Sequence, residues 1–132
     1  MQNAGEIRGN YEVRITGVSY IPPDIYEDEA KQLVDNAIRE YPSVLDRSIY
    51  LALIISKRQF CCNGNKRTAL MVCNHVLVNE DSGYIFAPIC YDDDHGTIFD
   101  SSYVSVLTDY YDDHLSLDAA IDYMSNFLIP ID

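Results

Sequence analysis

The stretch Gln59-Phe60-Cys61-Cys62-Asn63-Gly64-Asn65-Lys66-Arg67-Thr68-Ala69-Leu70 gathers the residues of this chain best suited to chemistry. Its polar Asn63-Gly64-Asn65 cluster interrupts two apolar patterns of helical period, so Lys66 and Arg67 fall where a helix begins. The first turn of a helix presents unpaired backbone N–H groups and the positive end of the helix dipole, and a glycine there lets a ligand approach the backbone. Lys66 adds a point charge and Arg67 a fork suited to two-point contact. Gly64, Asn65, Lys66 and Arg67 together therefore suit phosphate oxygens. The same four residues also suit an ordinary turn with two solvated cations, and spacing alone leaves both readings open.

The elements around this loop follow from periodicity. Ala30, Leu33, Val34, Ala37, Ile38 and Tyr41 recur at helical spacing and Pro42 closes the pattern, with Asp24 as a cap or turn residue ahead of it. Ser43 with Asp46 imitates a capping box for a second, more buried helix that runs to about Lys57. Thr68 to Val78 is apolar almost all round, which predicts a central core helix. Tyr84 to Ile89 reads as a short extended segment, Asp92 to Gly96 as a solvated acidic loop, and Ser101 and Ser116 as caps of two closing helices, the last reaching Leu128. Near the start, apolar and polar residues alternate from Tyr11 to Ile21 before Pro22-Pro23, which predicts a short β-hairpin flap over about 10–22.

Composition narrows the setting. With 132 residues, 48% of them hydrophobic, the chain can bury one core and is expected to form a single domain, 1–132. No apolar run reaches the roughly 18 residues of a membrane span, and the first residues lack a signal-peptide pattern, so a cytoplasmic protein without a membrane partner is expected. The net charge of −12 argues against nucleic acid. Cys61, Cys62, Cys73 and Cys90 form no CxxC pair, so reduced thiols are expected; Cys61, Cys73 and His75 are the one zinc set that can be imagined. Lys57, Arg58, Lys66 and Arg67 lie within one short stretch of this acidic chain, and an anion would go there. The eleven tyrosines, Tyr110 and Tyr111 among them, suit either a protein interface or a helical core with wet edges.

Asn63-Gly64-Asn65-Lys66-Arg67-Thr68-Ala69-Leu70 resembles the second half of the signature of the Fic/Doc (Fido) family, His-Pro/x-Phe-x-Asp/Glu-Gly/Ala-Asn-Gly/Lys-Arg, and is closest to its Doc-like variant. Gly9 to Pro23 is similar to the family's flap and Val72 to Ile89 to the helix and extended segment after the loop. The resemblance implies a mainly α, Fic/Doc-like helical bundle with a motif loop at 59–67. It implies transfer of AMP from ATP, or of phosphate in Doc-type members, onto a hydroxyl of a target protein that docks through the flap, 11–21. It assigns phosphate binding to Gly64, Asn65, Lys66 and Arg67, with ATP or another nucleotide and Mg2+ as cofactors. Toxin–antitoxin pairs occur in this family, and no Glu here has Ser or Thr four residues before it, as the family's inhibitory helix requires. Either an antitoxin-like inhibitor is then a separate partner or, with the family's catalytic base absent, no inhibition is required.

The first half of the signature departs from the family. Gln59 stands at the position of the catalytic His, or Arg58 if Phe60 is matched to the motif Phe with an insertion, and Asn63 at that of the metal-holding acid. Glutamine accepts no proton near neutral pH, and loss of a general base costs about 10²- to 10⁴-fold in rate. Asn63 offers Mg2+ a neutral carbonyl where a hard cation prefers carboxylate. His75, His95 and His114 lie away from the base position. The expectation is a degenerate member that keeps a phosphate or nucleotide loop. The alternatives are an active transferase with a non-standard donor and a non-catalytic interaction module whose flap offers a strand edge.

Overall fold

A computed structural model describes residues 6–131. Three helices come first: α1 (Glu27–Glu40), α2 (Val44–Arg58) and α3 (Asn65–Asn79). Three short strands follow, β1 (Tyr84–Phe86), β2 (Ile89–Asp92) and β3 (Gly96–Phe99), then α4 (Ser101–Tyr111), α5 (Leu117–Met124), a 3-10 turn at Ser125–Phe127 and β4 (Leu128–Pro130). The fold is mainly helical, with two small antiparallel pairs, β1 with β4 and β2 with β3.

The second helix sits at the centre, against α1, α3, α4 and α5. Its apolar residues wrap most of the circumference, and Ile49, Leu51, Ala52, Leu53 and Ile55 are all buried. At about 1.5–3 kcal/mol for each fully buried large aliphatic side chain, this helix is the principal source of cohesion. The third helix was expected to be buried all round, but only the stripe Asn65, Ala69, Cys73 and Leu77 is, at a strict spacing of four. Met71 and Val78 face out, so an apolar run here overstates burial.

The expected β-hairpin flap contains no strand between residues 10 and 22. Its alternation is real, since Val13 and Ile15 are half-buried while Glu12, Arg14 and Thr16 are exposed, but no neighbouring strand takes up its hydrogen bonds. The segment is a loop that reverses at Ile15-Thr16-Gly17-Val18, where Val18 N–H donates to the Ile15 carbonyl and Gly17 takes the positive φ of +85° that such a turn needs. An isolated bridge from Gly9 to Ile25 closes its base.

Capping differs in detail from expectation. Tyr26, not Asp24, precedes α1. Asp100, not Ser101, caps α4, its carboxylate accepting from Ser102 N–H at 2.9 Å, while Ser116 does cap α5. The final helix stops at Met124, because Leu128 is drawn into β4 opposite Phe86. The acidic loop at 92–96 is the turn of the β2–β3 hairpin. Tyr103, Tyr110 and Tyr111 are buried, and their hydroxyls are pushed up by burial, so Tyr110 and Tyr111 serve the core and not an interface. Among the described residues no three His, Cys, Asp or Glu side chains converge on a metal position, which removes Cys61, Cys73 and His75 as a zinc set. No described helix is long and apolar enough to cross a membrane.

Candidate functional site

The loop between α2 and α3 is bounded by two residues with left-handed backbone. Gln59 ends α2 at φ +48°, and Gly64 opens α3 at φ +68°. A Cβ on Gly64 would meet nothing within 4 Å, so glycine is favoured there by the backbone angle and not by crowding. With glycine at the cap position, no side chain caps α3, and the N–H groups of its first turn are left to whatever occupies the space in front.

That space is a cleft of about 470 Å³. One wall is the loop from Cys62 to Arg67 with Gln59, the other is Arg14, Ile15 and Thr16 of the flap, and Phe99 and Tyr111 also line it. Three cations, Arg14, Lys66 and Arg67, therefore converge on one cavity. No Asp or Glu lines it, although the chain carries 21 of them against nine Lys and Arg. Among the described residues the Lys66 and Arg67 side chains make no hydrogen bond or ion pair, and the Arg14 side chain has only an exposed contact with Glu12 at 3.1 Å. A second concavity of similar size, between Glu6, Gly9, Tyr26 and Glu27, holds two carboxylates and no cation, so it offers an anion nothing.

The other half of the basic stretch is committed elsewhere. Lys57 bonds to Asp113 at 2.8 Å and lies over the Tyr110 and Tyr20 rings, while Arg58 pairs with Glu29 at 3.0 Å. Neither lines the cleft. Adjacency in sequence suggested four cations at one anion site; the structure brings Lys66 and Arg67 together and replaces Lys57 and Arg58 with Arg14.

The amide side chains of Gln59 and Asn65 face inward, whereas Asn63 is exposed. Asn65 is 5% exposed: its Oδ1 accepts from Cys61 N–H at 2.9 Å, and its Nδ2 donates to the Cys61 carbonyl at 2.8 Å and to Gln59 Oε1 at 3.0 Å. Gln59 Nε2 donates in turn to the Ser56 carbonyl at 2.6 Å. The Asn65 side chain thus shapes the loop, and only its backbone N–H is left for a ligand. Gln59 is held as a structural amide, and with His75, His95 and His114 all exposed and outside the lining, no imidazole reaches the cleft. At the cleft floor burial pushes the Tyr111 hydroxyl up to about 12, the nearby Ser56 hydroxyl opposing part of the rise. It therefore stays protonated and can donate a hydrogen bond but cannot act as a base near neutrality. Neither hydroxyl makes a directed hydrogen bond.

The donor set does not fit a protein-held Mg2+. Asn63 is exposed and supplies one neutral carbonyl, and the lining contains no carboxylate, whereas Mg2+ is ordinarily held by one or two carboxylates with substrate phosphates.

Arg8, like Arg14, is a residue of this region that sequence reasoning missed. It is 2% exposed, and its guanidinium donates only to backbone carbonyls, among them Gln59 at 2.7 Å and Pro23 at 2.6 Å. A lone arginine in a polar N-terminal stretch carries no sequence signal of such burial. Comparison of the chain with protein-family models, with characterised proteins and with solved structures gave no match.

Proposed function

We propose that this chain is a Fic/Doc-like protein that binds a nucleotide or another polyphosphate at Gly64-Asn65-Lys66-Arg67 and has lost the family's base-assisted transfer. The observation that carries the reading is the charge of the cleft: Arg14, Lys66 and Arg67 surround it, no carboxylate lines it, and the chain as a whole is at −12. The uncapped first turn of α3 adds backbone donors at the same place. Loss of transfer rests on Gln59, whose amide is tied to Ser56 and Asn65, and on the missing carboxylate at Asn63. A target protein would meet the exposed flap residues Tyr11, Glu12 and Thr16, and an antitoxin-like inhibitor would occupy the same mouth.

Calorimetric titration of ATP, with and without Mg2+, into wild type and Arg67→Ala tests this. Binding in wild type that weakens at least about tenfold in Arg67→Ala is expected, since a hydrogen bond to a charged group is worth about 1.5–3 kcal/mol. Because the site holds no carboxylate, Mg2+ is expected to change the affinity little. Equal affinity in both proteins, or none in either, would remove the phosphate site. A donor-dependent mass addition on a protein hydroxyl would instead favour the rival reading, an active transferase with a non-standard donor.

A further inference from the structure

Arg8 gathers carbonyls from two separate parts of the chain. Nε donates to the Gln59 carbonyl at 2.7 Å, Nη1 to Tyr11 at 2.9 Å, and Nη2 to Pro23 at 2.6 Å and Arg58 at 3.0 Å. The Arg8 backbone N–H adds a bond to the Phe60 carbonyl at 2.7 Å. A buried guanidinium is tolerated only when its donors are satisfied, and here they are satisfied without an ion pair among the described residues. Tyr11 and Pro23 are the two ends of the flap; Arg58, Gln59 and Phe60 carry the last carbonyls of α2 and the entry to the phosphate loop. One rigid fork therefore fixes the flap relative to the loop.

A second anchor acts further along. Asp112 Oδ1 accepts from Ser19 Oγ at 3.2 Å and from Tyr20 N–H at 2.9 Å, tying the returning arm of the flap to the end of α4. Residues 12–18 span the space between the two anchors, and Arg14 lies in that span on the wall opposite Lys66 and Arg67.

We infer that Arg8 and Asp112 are positioning residues of the anion site, holding the flap so that Arg14 completes the charge set begun by Lys66 and Arg67. This rests on the polyphosphate reading above. A side chain that only stabilised the fold would lower the melting temperature without changing what Arg14 contributes. A positioning residue changes that contribution itself.

The test is a pair of double-mutant cycles with inorganic tripolyphosphate as the probe, read by calorimetry on protein shown folded by circular dichroism. Arg14→Ala is expected to weaken binding about tenfold in the wild-type background, the scale of one charge-assisted contact. In the Arg8→Lys background, which keeps the charge but loses the fork, the same substitution is expected to cost less than about twofold. Asp112→Ala gives the second background and decides the matter alone if Arg8→Lys does not fold. A full Arg14 effect persisting in each folded background, or no Arg14 effect in wild type, overturns the positioning role and leaves the phosphate loop standing. Wild type that binds no tripolyphosphate overturns the site and this inference with it.

Discussion

The Asn65 side chain closes on the peptide of Cys61 from both ends, accepting from its N–H at 2.9 Å and donating to its carbonyl at 2.8 Å. One amide thereby does what a neighbouring strand would do, pairing both polar groups of a buried residue while the chain turns from α2 into α3. The basic pair that follows can face a ligand because the residue before it faces inward.

Asn65→Ala should therefore act first on stability. It removes the two hydrogen bonds to the Cys61 N–H and carbonyl, each worth about 0.5–1.5 kcal/mol, so a loss of about 1–3 kcal/mol is expected in urea unfolding. Asn65→Asp should also destabilise, since a carboxylate can accept from Cys61 N–H but cannot donate to the Cys61 carbonyl or to Gln59. A midpoint unchanged in both variants would contradict the role given to this side chain.

Tyr111 leads to a pH prediction. Burial raises its folded pKa to about 12, above the ordinary tyrosine value near 10. The neutral form is the one the fold accommodates, so its contribution is intact below the unfolded pKa and is lost as pH rises from about 10 through about 12. Tyr103 and Tyr110 are raised by the same cause and add to the decline. Tyr111→Phe should be within about 1 kcal/mol of wild type at pH 7, because the hydroxyl it removes makes no directed hydrogen bond, and should show a shallower loss of stability at alkaline pH. Denaturant midpoints measured from pH 7 to 11 would reveal an unchanged alkaline slope if the assignment were mistaken.

On the proposed reading, transfer activity is expected to need two substitutions. Gln59→His supplies a base, but at a position whose present amide also holds Ser56 and Asn65, and the cleft still lacks a carboxylate. Asn63→Asp supplies the carboxylate alone. Only the double variant should give detectable transfer from ATP with Mg2+ onto a protein hydroxyl, followed by intact mass against the wild type and both single variants. Transfer by wild type at a rate equal to the double variant would show that Gln59 and Asn63 do not limit the chemistry.

Local patterns in the sequence carry the helices well, because period and punctuation are local: Pro42, Ser43 and Ser116 mark boundaries that the structure keeps to within a residue or so. What local pattern cannot carry is partnership. The flap has the alternation of a strand and no partner strand, Leu128 has helical spacing and leaves the helix to pair with Phe86, and the β2–β3 hairpin hides behind an acidic turn. The same division holds at the cleft. Gly64, Lys66 and Arg67 are legible from their place at a helix start. Arg14, Arg8 and the structural use of Asn65 depend on residues distant in sequence or on the direction of a side chain, and neither is written in spacing.

A final consequence concerns the outer side of β1. Asn74, half-buried next to Cys73 on α3, accepts from the Phe86 N–H and donates to the Phe86 carbonyl, the two groups that β1 turns away from β4. A side chain thus occupies the berth of a third strand. The sheet is terminated from within its own molecule, and this margin is closed to the edge-to-edge addition by which small exposed sheets recruit other chains into aggregates.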